Sequence, residues 1–149
     1  MTPPDRIALL NQLFSRLCTS LPVYASQVRL WVGPGDDQAA TMLCRLAADD
    51  QRLAQRLAGA IRRAGGRPAP GTFPPEYTSL HDVSAGFVLK RAVSARQSDL
   101  AAARCLAAQM GDTAEDRPLV DEIIRTWEDH VQDLKTIPSP EGCAQNGIA

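Results

Sequence analysis

Residues 36–66 read DDQAATMLCRLAADDQRLAQRLAGAIRRAGG, and this stretch decides the fold. Its apolar residues Leu43, Leu46, Leu53, Leu57 and Ala60 keep a beat of three and four, with Asp50 filling the one gap. That spacing puts a single stripe on one face of a helix. Asp36 or Asp37 serves as N-cap, Arg62 and Arg63 complement the dipole in the last turn, and Gly65-Gly66, backed by Pro68, stops the helix.

The same beat extends outward in both directions. Upstream, a first segment from about Pro3 to Trp31 carries Leu10, Phe14, Leu17, Leu21, Tyr24, Val28 and Trp31. Thr2 and Asp5 form a capping box at its start, and Pro3 suits the first turn. Pro22 lies inside this segment, where it predicts a kink costing roughly 3 kcal/mol. Downstream, residues 67–78 hold Pro68, Pro70, Pro74 and Pro75 and read as an ordered crossover loop. A third segment opens at Ser79, capped with Asp82, and ends at Met110-Gly111. Alanine crowds all its faces; the best stripe is Val88, Ala92, Ala95, Asp99, Ala102 and Leu106. Thr113 and Asp116 cap a fourth, with Val120, Ile123, Trp127, His130, Leu134 and Ile137 on its stripe and Pro138 and Pro140 at its end. The first three helices are each expected to be about 40 Å long. Together they predict an all-α chain: an antiparallel four-helix bundle over 1–137, a crossover between helices two and three, and a flexible tail over 138–149.

Composition agrees and excludes several functions. The 149 residues include 22 Ala and 14 Arg but only 2 Lys and 7 aromatics, which favours helix over strand. A net charge of −1 argues against a dedicated polyanion binder. No run of apolar residues is long enough to span a bilayer, and Met1 to Arg6 lacks the layout of a signal peptide. Cys18, Cys44, Cys105 and Cys143 form no metal-ligand cluster. They read as reduced thiols in a cytoplasmic protein, the first three as small buried hydrophobes beside seam residues. Arg45, Arg52, Arg56, Arg62 and Arg63 read as a solvated face balanced by Asp36, Asp37, Asp49 and Asp50, with nucleic-acid binding ranked last. Tyr24, Trp31 and Trp127 read as core or interface aromatics, and His81 as a solvated histidine at a helix start.

Asp50, Asp99 and His130 interrupt the stripes, and buried ionisable groups are rare unless paired or metal-bound. For Asp50 and His130 three arrangements stand open: a residual hydrogen-bonded or ionic pair, a mononuclear metal site recruiting Asp99, Glu128 or His81, or no direct contact. If no metal is involved and His130 relaxes, Asp50→Leu is expected to be nearly neutral or stabilising. A loss of several kcal/mol would mean that His130 depends on the acid.

Over about residues 7–137 the chain resembles the bacterioferritins and their relatives in the ferritin-like superfamily. The resemblance is carried by Leu10-Asn11 through Leu17 to Tyr24, by Asp49-Asp50-Gln51-Arg52-Leu53-Ala54 leading to Gly65-Gly66-Arg67-Pro68, and by Glu122-Ile123-Ile124 through Glu128-Asp129-His130 and Leu134. Such bundles hold two irons with a Glu from each of two helices and a Glu-x-x-His from each of the others. The resemblance places Leu17 at the helix-one glutamate, Asp50 and Leu53 at the helix-two pair, Ala95 or Ser94 at the helix-three glutamate, and Trp127 and His130 at the helix-four pair. Gln51 stands where some bacterioferritins carry a haem-ligating methionine. Only Asp50 and His130 remain as candidate metal ligands, so no metal or other cofactor is expected.

The resemblance therefore implies a degenerate ferritin-like bundle without a competent di-iron centre. It would act as a structural or protein-interaction module, a homodimer with a further protein partner of unknown identity, neither membrane-bound nor an enzyme. The alternative is a metal-dependent iron oxidoreductase or iron-storage protein with a non-standard ligand set around Asp50 and His130.

Overall fold

The computed structural model describes residues 2–28, 30–81 and 83–137. The expected tail with Cys143, the terminating Pro138 and Pro140, and Asp82 of the expected cap lie outside the described residues. Among the described residues five α-helices account for most of the length: α1 Pro3–Cys18, α2 Leu21–Gln27, α3 Asp37–Arg63, α4 Ala85–Met110 and α5 Arg117–Thr136. A 3₁₀ helix, Pro75–Leu80, lies between α3 and α4. Among the described residues no helix is long and apolar enough to cross a membrane. Strands are absent from them as well; the single bridge joins the backbones of Trp31 and Ser84. Helices α1 and α2 pack on α3, α4 runs against α5, and α3 touches both α4 and α5.

The first segment is two helices, not one kinked helix. Helix α1 ends at Cys18, and Ser20 caps α2, its hydroxyl accepting from the Val23 amide (3.4 Å). Pro22 thus falls in the first turn of α2, where it costs no helical hydrogen bond. At 16 residues α1 is about 24 Å long, while the 27 residues of α3 span the expected 40 Å. The break also throws the last expected stripe residues off register: Val28 is half-buried and Trp31 is 60% exposed instead of in the core. Helix α4 begins six residues later than expected, at Ala85 under the Ser84 hydroxyl, because Pro75–Leu80 forms the 3₁₀ helix.

The C-terminal end of α3 behaves as the sequence suggests, whereas Asp36 stands at the N-cap without a side-chain cap bond, its carboxylate accepting instead from the Gly33 amide (3.1 Å). Gly65, at φ +88°, lets its own amide reach the Arg62 carbonyl (3.0 Å) and the Gly66 amide reach that of Ile61 (2.9 Å). Gly66 is required for a different reason: a Cβ there would lie 2.6 Å from the Ile7 Cγ2 methyl. The segment that follows is tied to α1. Asn11 donates to the Arg67 carbonyl (3.0 Å) and accepts from the Ala69 amide (2.8 Å). Farther along, Tyr24 meets Phe73 edge-on at 5.0 Å and its hydroxyl bonds the His81 ring (2.9 Å). His81 is exposed, as expected, but it follows the 3₁₀ helix instead of starting α4.

Every expected stripe residue of α3 is buried, as are those of α5 up to Leu134. On α4 the buried line is Val88, Ala92, Arg96, Asp99, Ala103 and Leu106, so Arg96 and Ala103 replace the expected Ala95 and Ala102. The apolar side chains separate into two clusters. One gathers α1, the C-terminal half of α3 and Trp127; the other gathers α2, the N-terminal half of α3, the start of α4 and Leu134. Between them, near the middle of α3, α4 and α5, lies a layer of buried polar groups: Ser20, Asp50, Arg96, Asp99 and His130.

Candidate functional site

Asp50 sits at the centre of this layer with no exposed surface. Three donors reach it from three other helices or their caps. Trp127 Nε1 of α5 donates to Oδ1 (2.9 Å), while Ser20 Oγ (2.6 Å) and Arg96 Nη2 of α4 (2.7 Å) donate to Oδ2. The break before Pro22 is what places Ser20 here, so one hydroxyl both caps α2 and bonds the central acid. Arg96 is 1% exposed, and its guanidinium lies 5.0 Å from the Trp127 ring centre, a cation–π arrangement. Its other end reaches Asp99 Oδ2 at 3.3 Å, and Arg16 of α1 reaches Asp99 Oδ1 at 3.0 Å. Two carboxylates from two helices thus share one buried guanidinium. Desolvating all three groups is costly, and the bonds of both carboxylates to the guanidinium offset it.

Of the three arrangements open to Asp50 and His130, the direct pair is not formed. His130 Nε2 bonds Asp49 Oδ2 (2.8 Å), one residue off the seam, because α3 presents the Asp50 carboxyl to α4 and to Trp127. His130 Nδ1 and Arg96 Nε have no partner among the described residues. Burial pulls the His130 pKa below its ordinary value, against the opposing pull of the Asp49 hydrogen bond. The other suggested recruits are occupied elsewhere. Glu128 pairs with Arg104 (3.2 Å), Asp99 with the two arginines, and His81 with Tyr24. Leu17, Leu53 and Trp127 are fully buried packing groups, and Ala95 is half-buried beside the seam. Among the described residues no three His, Cys, Asp or Glu side chains come together as a metal site.

Two further expectations are corrected. Cys44 and Cys105 are exposed free thiols, not buried; a position next to a seam residue on a helix already points 100° away from it. Cys18 is half-buried, and burial followed by the Asp50 charge pushes its thiol pKa up, which makes it a poor nucleophile. The α3 arginines find most of their acids on α5 and not on their own helix. Arg45 pairs with Asp133 and Arg56 with Glu122 (2.6 Å), while Arg52 lies between Glu122 (3.9 Å) and Asp49 (3.8 Å).

Arg96 is the central residue that sequence reasoning missed, together with Arg16 and Ser20. Its one available signal was position: it stands four residues after Ala92 and three before Asp99, on the beat of the helix.

Asp99 gives the layer a pH signature. Burial pushes its carboxyl up from 3.8 to about 6, against the pull of Arg96 and Arg16. The folded chain therefore holds this proton more tightly than the unfolded chain. The group's stabilising contribution is present at low pH and lost as pH rises through about 6. His130 works in the opposite sense, its contribution being lost as pH falls through the ordinary imidazole value. Comparison with Asp99→Asn isolates the first effect. Urea unfolding at pH 7 and pH 5 should show the parent gaining about 1 kcal/mol on the variant at the lower pH. A difference independent of pH would mean that Asp99 titrates as an ordinary surface carboxyl.

Comparison with protein-family models, with curated proteins and with solved structures found no match to this chain.

Proposed function

We propose that this chain is a ferritin-like bundle whose interior is built for packing and internal charge pairing, serving as a structural or protein-interaction module that associates with a second copy of itself. The observation that carries the reading is the Arg96 guanidinium, which bonds both core carboxylates, Asp50 and Asp99. A di-iron centre does not fit these residues. A divalent ion beside Asp50 would sit against a buried guanidinium, and like charges at that distance repel strongly in a low dielectric. The resemblance assigns the ligand positions to Leu17, Leu53 and Trp127, none of which offers a metal a lone pair of the required kind.

Self-association draws on the face formed by α1, α2 and α3, which the resemblance gives to a second copy. A cleft of about 500 Å³ there is lined by Phe14, Val23, Ala54 and Ala58 and edged by Gln27, Gln51 and Gln55. Apolar groups inside a polar edge are the general pattern of a protein interface. The free thiols at Cys18, Cys44 and Cys105 favour a reducing compartment, the cytoplasm.

Protein purified without chelators is expected to carry transition metal well below one ion per chain, to show no iron-dependent oxygen consumption, and to scatter light as two chains. Near two irons per chain would overturn the reading in favour of an iron oxidoreductase or storage protein, and a strictly monomeric chain would remove the self-association.

A further inference from the structure

A second site lies on the solvent side of the polar layer. Asn11 and Ser15 of α1, its C-cap Thr19, Pro74 and Tyr77 of the 64–84 segment, and Asp99 of α4 line a cleft of about 590 Å³. Its walls are fixed. Asn11 is bonded at both ends of its amide to Arg67 and Ala69, and Gly71 packs so closely on Ser15 that a Cβ would meet its hydroxyl oxygen at 2.5 Å. The floor is the Asp99–Arg16 pair, whose charges answer one another. Ser15, Tyr77 and Gln12 all line this cleft, and their side-chain polar groups have no hydrogen-bond partner among the described residues. Tyr77 stays a phenol at all ordinary pH, since burial pushes its pKa up and Asp99 adds to the shift.

We propose that this cleft binds a small neutral polyhydroxyl compound of mono- or disaccharide size, with Asp99 and Arg16 anchoring ligand hydroxyls on the floor and Tyr77 supplying a ring face and a hydroxyl. The volume lies within the range of small-molecule sites, roughly 300–1,000 Å³. Each Asp99 oxygen accepts one bond from an arginine and keeps a lone pair for a second donor. A ligand of either charge would have to compete with the Arg16–Asp99 pair for its partner, whereas a hydroxyl both donates and accepts and adds to the pair without breaking it. The Tyr77 ring and the Pro74 ring offer an apolar wall to the C–H face that sugars and cyclic polyols carry.

The test is saturation-transfer NMR and calorimetry on the full chain with glucose, maltose, trehalose and myo-inositol. Spermidine and citrate serve as cationic and anionic comparisons. At least one neutral probe should bind, and Tyr77→Phe, which removes a hydroxyl without an internal partner, should weaken it by roughly fivefold. Ser15→Ala should do the same, and Asp99→Asn should weaken it by at least tenfold, as expected for a bond to a charged group. Circular dichroism confirms that each variant is folded. Absence of binding by all four neutral probes, binding indifferent to Tyr77→Phe and Ser15→Ala, or capture of only the charged compounds would each overturn the proposal.

Discussion

Arg96→Met should destabilise the fold by about 3–5 kcal/mol, measured by urea unfolding at pH 7. The thioether fills most of the space but removes the charge that Asp50 and Asp99 share. Asp50 has no exposure through which water could replace it. Its remaining donors, Trp127 and Ser20, are neutral. A companion substitution identifies the cause. Asp50→Asn keeps an acceptor for Trp127 while removing one of the two anions, so in combination with Arg96→Met it should recover part of the loss. The coupling between the two sites is expected to be about 2 kcal/mol. A single-variant loss under about 1 kcal/mol, or strict additivity, would show that the guanidinium is solvated in solution. The same geometry reverses the expectation for Asp50→Leu. That change leaves a buried cation, an indole N–H and a hydroxyl without their acceptor, so it should be costly through Arg96 and not through His130.

How much of this could be read from the residues differs from helix to helix. Helices α3 and α5 were legible because leucines, isoleucine and tryptophan alternate with charges, so one face only is apolar. Helix α4 was not. Alanine tolerates every face, and the periodicity alone could not choose between Ala95 and Arg96 for the seam. The usual preference of arginine for water then pointed the wrong way. Pro22 predicts a kink within one helix, but it stands in the first turn of a new one. Ser20 two residues before it is the cap-and-proline signature of a new helix, and it outweighs the stripe that runs on through Leu21 to Trp31. The polar seam positions Asp50, Asp99 and His130 were visible as interruptions, but their partners were not. Asp49, Arg16 and Ser20 reach the layer from off the stripes, and only side-chain length and the crossing of the helices decide which acid meets which base.

Trp127 tests whether the layer is held by packing or by its hydrogen bonds. Trp127→Ala should cost about 3–5 kcal/mol by opening a cavity in the first apolar cluster, beside the polar layer. Trp127→Phe keeps an aromatic ring in the same place and loses the Nε1 donor to Asp50 and part of the volume. It should therefore cost less, about 1–3 kcal/mol. Arg96 would still face an aromatic surface and Asp50 would still hold Arg96 and Ser20, which is why the second loss stays the smaller. Thermal or urea unfolding of both variants separates the contributions. A Phe variant as unstable as the Ala variant would mean that Asp50 cannot do without the indole donor, making the hydrogen bond the dominant element of the layer. A Phe variant as stable as the parent would show that the ring alone matters and that Asp50 is satisfied by Arg96 and Ser20.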